Sequence, residues 1–134
     1  MATTTATIII NSTDLTNDEI SLTTTATLTN AGGSTGIIDT SGVARKTVAG
    51  AHGQYTLFDG SDYTADKAHK VYLKNTSTTA AEYFLITINS EDVGRLYAGD
   101  WAFFPWSAHD ADNDIKIDPS ADDMTLEYML FTDD

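Results

Sequence analysis

The sequence predicts an all-β fold: a two-sheet β-sandwich, jelly-roll or immunoglobulin-like, with about eight or nine strands. Three observations carry that expectation. Short runs rich in Thr, Val, Ile, Tyr and Phe recur along the 134 residues. Gly, Asn, Asp and Ser break them every ten residues or so, the spacing of turns in an all-β domain. Within the runs, apolar and polar side chains alternate with the period of two that a half-buried strand requires.

Taken in order, the first third is Thr-rich. The pentapeptide TTTAT occurs at residues 3–7 and again at 23–27, followed by Ile8, Ile9 and Ile10 in one case and Leu28 in the other. Thr is β-branched and favours extended backbone. Leu22, Thr24, Ala26 and Leu28 alternate against Thr23, Thr25, Thr27 and Thr29, which reads as a strand with one half-buried face. The expected organisation is a segment 1–36, with its first ten residues open to two readings, a strand or an extended arm lacking a strand partner in its own subunit, and a β-sandwich domain 37–134. Three glycines in residues 31–36 make a loop, and residues 41–54 read as loose chain. The core is expected to begin at Tyr55.

Residues 55–58 form a short strand stopped by the turn signal DGSD, and 62–69 read as a short helix or an irregular crossing. Residues 71–74 alternate, then NTSTTAA turns the chain. In residues 83–88, Phe84, Ile86 and Ile88 share one face. Residues 94–97 and 101–106 are expected to pair as a hairpin across Ala-Gly-Asp. Pro105 has no amide donor and belongs at a sheet edge or strand end. Residues 115–117 alternate between acidic turns. The last run alternates most clearly, Met124, Leu126, Tyr128 and Leu130 against Thr125, Glu127, Met129 and Phe131.

Composition excludes several functions. The formal net charge is −13, from 20 acids against 7 bases. Residues 100–134 alone carry ten acids against Lys116. A surface of that sign repels phosphate, so no nucleic-acid partner is expected. No apolar run approaches the roughly 20 residues that span a bilayer, and residues 1–10 lack the basic start of a secretory leader. With no cysteine there is no disulfide, thiolate zinc site or cysteine nucleophile, which fits synthesis in a reducing cytosol.

Chemistry-bearing motifs are sparse. Asp110, Asp112 and Asp114 have the alternate spacing that opens a calcium loop. Ile115 stands where that loop needs Gly, and Ala121 where it needs the closing Glu, so only a looser calcium site between sandwich loops remains as a weak candidate. His52, His69 and His109 have no metal-ligand spacing. No serine sits in a Gly-x-Ser-x-Gly context. No catalytic residue, cofactor or enzymatic activity is expected. On alternation, Trp101 and Phe103 share one face of their strand while Phe104 and Trp106 share the other. One side is expected to fill the core and the other to meet a neighbour. The interface candidates are Ile8, Ile9, Ile10, Trp101 and Trp106.

Residues 55–134 carry a pattern that resembles small virion structural proteins of tailed bacteriophages, of the marine and cyanobacterial phage type. The matching features are a strand ending in KNTS (residues 74–77), the segment L-x-x-G-[DE]-[FW]-x-F-x-P (96–105), and a last strand ending EY-x-[LF]-F (127–131). The resemblance implies a non-enzymatic, oligomeric component of the virion, foremost a capsid decoration or cement protein that stabilises the head shell. Its partners would be the major capsid protein or other virion proteins and further copies of itself, a trimer being favoured. Two alternatives stand beside it: a tail or baseplate component, and a carbohydrate-binding β-sandwich module stacking sugars on Trp101 or Trp106.

Overall fold

The fold is seen in a computed structural model that describes residues 3–30, 32–33, 36–37, 39–109 and 112–133. The chain divides into two compact units, Met1–Ile37 and Ile38–Asp134.

The first unit is a single antiparallel ladder of β1 (Thr4–Ser12) and β2 (Ile20–Leu28), in unbroken register from Thr4 opposite Leu28 to Ser12 opposite Ile20. Of the two readings of the first ten residues, the unpartnered arm is overturned: β1 has a strand partner within its own chain. The repeated pentapeptide explains the match: Ala6 lies opposite Ala26, and the Thr7 and Thr25 hydroxyls are 2.8 Å apart. Residues 5–7 of one copy of TTTAT thus face residues 25–27 of the other, like opposite like.

The second unit is built from nine strands: β3 (Asp39–Thr40), β4 (Ala44–Val48), β5 (Tyr55–Phe58), β6 (Lys70–Asn75), β7 (Tyr83–Ile88), β8 (Glu91–Tyr97), β9 (Trp101–Pro105), β10 (Ile115–Pro119) and β11 (Met124–Thr132). One sheet runs β3/β4–β11–β6–β9 and the other β5–β10–β7–β8, every neighbouring pair antiparallel. β3 and β4 are two lengths of one edge. Gly42, with a φ of 66°, lets the chain step between them, and the Ser41 hydroxyl accepts the Leu130 amide that the ladder would otherwise leave open.

The pairs β4·β11, β5·β10, β6·β9 and β7·β8 are those of one long hairpin rolled on itself, with the β7–β8 turn at its tip. Two four-stranded layers with that pairing make a jelly roll. The tip is a two-residue turn in which Asn89 and Ser90 both take positive φ, 52° and 62°. That is the turn whose twist suits a tight hairpin. Between β5 and β6 there is one 3-10 turn, Gly60–Asp62, and otherwise irregular chain.

The hairpin expected between residues 94–97 and 101–106 does not form. β8 pairs with β7 and β9 with β6, so residues 98–100 carry the chain from one sheet to the other. Gly99 adopts a φ of 82° at this corner. Buried Asn75 holds it: its backbone exchanges bonds with Gly99 and Asp100, and its side-chain amide donates to the Glu82 and Leu96 carbonyls.

The inward faces supply the core: Val71 and Leu73 from β6, Phe84 and Ile86 from β7, Ile115 and Ile117 from β10, and Met124, Leu126 and Leu130 from β11. Val48 of β4 joins them, so the core begins before Tyr55 and residues 44–48 are not loose. Among the described residues no helix is long and apolar enough to cross a membrane.

Candidate functional site: the outer face of the larger sheet

Strand alternation sends Thr125, Glu127, Met129 and Phe131 of β11 outward, together with Lys70, Tyr72 and Lys74 of β6 and Trp101 and Phe103 of β9. Register then lines them up in rows. Arg45, Glu127, Lys74 and Trp101 form one, and Met129, Tyr72 and Phe103 the next. Thr40, Phe131, Lys70 and Pro105 form the third. The KNTS strand, the Leu96–Pro105 segment and the closing EY-x-[LF]-F strand are far apart in sequence. Here Lys74 and Asn75, Trp101–Pro105 and Glu127–Phe131 lie on three adjacent strands, β6, β9 and β11, while Leu96 and Tyr97 end β8 in the other sheet.

Apolar and cationic groups are interleaved on this face. Phe103 and Phe131 meet edge to face at 6.4 Å, and Trp101 is 51% exposed. The Arg45 guanidinium binds one Glu127 oxygen through Nε (3.1 Å) and Nη2 (3.0 Å), and the Tyr72 hydroxyl donates to the other at 3.2 Å. The Arg45 contact, more than any other, holds the Glu127 carboxyl below the usual carboxylate range. Burial, and then the Glu127 carboxylate, push the Tyr72 phenol up. Burial pulls the Lys70 ammonium down, and its Nζ donates to the Ala68 carbonyl at 2.7 Å. Arg45, Lys70 and Lys74 thus stand on the face with Glu127, and the Asp133 carboxylate acts on Lys70. The remaining charges of the chain are four cations and eighteen acids. An uncommon concentration of positive charge sits on a strongly acidic protein, a patch suited to an acidic partner surface.

The outer face of the smaller sheet differs. Tyr83 and Tyr97 pack at 5.4 Å, and Arg95 lies 4.5 Å over the Tyr83 ring, closing that aromatic pair on itself. On the open side of the roll, β8 and β9 leave an apolar slot of about 210 Å³ lined by Ile86, Leu96, Ala102 and Phe104.

The interface candidates separate. Trp101 is on the exposed face. Trp106 is 3% exposed, packed against Phe58 and Tyr63, with its indole N–H donating to the Asn113 carbonyl at 2.9 Å. It is a core residue and cannot meet a neighbour; alternation already put it on the face opposite Trp101. Ile9 and Ile10 are exposed on the first unit and Ile8 is half-buried.

The calcium candidates do not form a described cluster. Asp110 lies outside the described residues. Asp112 is exposed, while Asp114 accepts the Gly60 amide at 2.9 Å and sits 3.8 Å from the Lys116 ammonium. No group of three or more metal-ligating side chains occurs among the described residues. His69, fully buried between Tyr63 and Trp106, places Nε2 2.9 Å from the Thr64 carbonyl and accepts the Asp133 amide at Nδ1. It ties the end of β11 to the start of β6. The convergence of Arg45 with Glu127 was invisible in sequence, because nothing local announces that residues 44–48 form an edge strand.

No family model matches the chain, and no curated protein or solved structure gives a significant match to it.

Proposed function

We propose that this protein is a non-enzymatic structural component of a tailed-phage virion, a decoration protein that cements the head shell as a closed oligomer, a trimer being favoured. The observation that supports this reading most is the outer face of the larger sheet. The strand portions of the three stretches that resemble phage virion proteins come together there and present Lys74, Trp101 and Phe103, with Arg45 of β4 beside them, on an otherwise acidic surface. Such a face would dock on an acidic patch of capsid subunits, so that expansion or internal pressure must break additional buried contacts. A jelly roll is an architecture that viral capsid domains use, which agrees with the reading by analogy of fold.

The test is co-sedimentation of the purified protein with expanded shells of the phage that encodes it. Binding in stoichiometric amount, weakened by salt and by Trp101→Ala, supports the proposal. A protein that ignores shells but binds purified tails moves it to the tail or baseplate.

Exposed Trp101 supports a second reading, a carbohydrate-binding module, since jelly rolls also serve as lectins. Glycan binding there would change tryptophan fluorescence on adding sugar alone, with no shell present.

A further inference from the structure

The β1–β2 hairpin is a two-stranded sheet of 18 paired residues, and such a sheet alone in water is marginally stable at best. Its even-numbered side chains share one face; Leu28 at one end of it is buried, and Ile8, Ile10, Ile20 and Leu22 lie toward the turn. Ile10 and Leu22 are directly opposed, and they are 51% and 48% exposed. Odd-numbered positions give the other face, which is mostly Thr and Ser with Ile9.

Charge says what can cover the apolar face. Neither strand contains an ionisable side chain, and the acids of this unit, Asp14, Asp18 and Glu19, all lie in the connecting turn. Elsewhere, a contact between copies of a −13 chain opposes acid to acid. A contact between the strands of two hairpins opposes aliphatic to aliphatic, with no ionisable side chain in either strand. The strands also lack the lysines, prolines and bulges with which proteins keep exposed strands from associating, and the ladder runs without a register shift. A cationic or anionic partner would find nothing to pair with here.

We infer that the hairpin is a homotypic interface of the protein: the face bearing Ile8, Ile10, Ile20 and Leu22 packs against the same face of further copies of this chain around the oligomer axis. This rests on reading the protein as an oligomer and requires nothing of a capsid.

The experiment is sedimentation equilibrium on the full chain without shells, with two pairs of variants. Wild type should sediment as a multiple of 14.4 kDa. Ile10→Lys with Leu22→Lys should weaken self-association by at least about tenfold, whereas Thr23→Lys on the opposite face should not. Both tryptophans lie in the second unit, so their fluorescence reports that the jelly roll stays folded. A gentler pair uses the cysteine-free background: Leu22→Cys should give disulfide-linked dimers on oxidation, and Thr23→Cys should not. A wild type that remains at the monomer mass at high concentration would overturn the inference and leave the hairpin to a shell or another partner. So would an oligomer indifferent to the lysine pair, equal loss in Thr23→Lys, or no cross-link through Leu22→Cys. An oligomer that behaves as expected yet ignores shells would overturn the cement reading alone.

Discussion

The hairpin and the jelly roll are both antiparallel β-structure with similar local propensity, yet only the jelly roll has an interior of its own. In the hairpin, Thr alternates with Thr, Ala or Ile, and Leu28 is the one buried residue of the two strands. In the jelly roll, Phe84, Leu73, Ile117 and Leu126 are buried from two layers at once. Propensity makes a strand; a second layer makes it stable.

Four predictions break or sharpen that comparison. The largest effect should come from the two-layer core. Phe84→Ala or Leu126→Ala should cost about 3–5 kcal/mol in urea unfolding followed by tryptophan fluorescence. Ile10→Ala should leave that transition within about 0.5 kcal/mol of wild type; an equal loss would mean that the two regions unfold as one. Next comes the corner between the layers. Asn75→Ala removes donors from two carbonyls in a buried site and should cost about 2–3 kcal/mol, while the nearly isosteric Asn75→Asp should not restore the loss.

The third prediction is a gain. Ser90 carries a φ of 62° without being glycine, and Ser90→Gly should raise stability by about 0.5–1 kcal/mol, visible as a higher urea midpoint. The smallest effect belongs to the outer face. Because the folded carboxyl of Glu127 titrates below its unfolded value, its contribution is present above the ordinary carboxylate range and is lost as pH falls through the lowered folded value. The urea-midpoint difference between wild type and Arg45→Met should therefore be small near neutral pH and shrink in acid and in high salt. A difference that grows in acid would contradict the pairing.

Much of the fold was legible in the residues. Periodicity and turn signals located the strands at residues 55–58, 71–74, 83–88, 115–117 and 124–131, because each of those segments has one face in the core; the missing amide of Pro105 put it at a sheet edge or strand end, and it ends β9. Residues 44–48 were missed for a physical reason. Their inward face is Ala44, Lys46 and Val48, and Lys46 is accommodated at the sheet edge over the Tyr55 ring at 4.5 Å. Local alternation therefore looks polar on both sides. The turn at residues 98–100 was misread because Ala-Gly-Asp suits a hairpin as well as a corner. What decides between them is Asn75, more than twenty residues away.

The candidate site divides the same way. That Trp101 and Phe103 share a face follows from the two-residue period of a strand. That Trp106 is core, that Arg45 reaches Glu127, and that cations gather on one sheet of an acidic protein depend on which strands become neighbours. The sequence by itself determined the all-β class, most strands and the inward face of each, because alternation and turn chemistry act over a few residues. Only the tertiary structure decided the jelly-roll pairing and the composition of the outer face, because register and sheet order are set by contacts between segments that the chain keeps far apart.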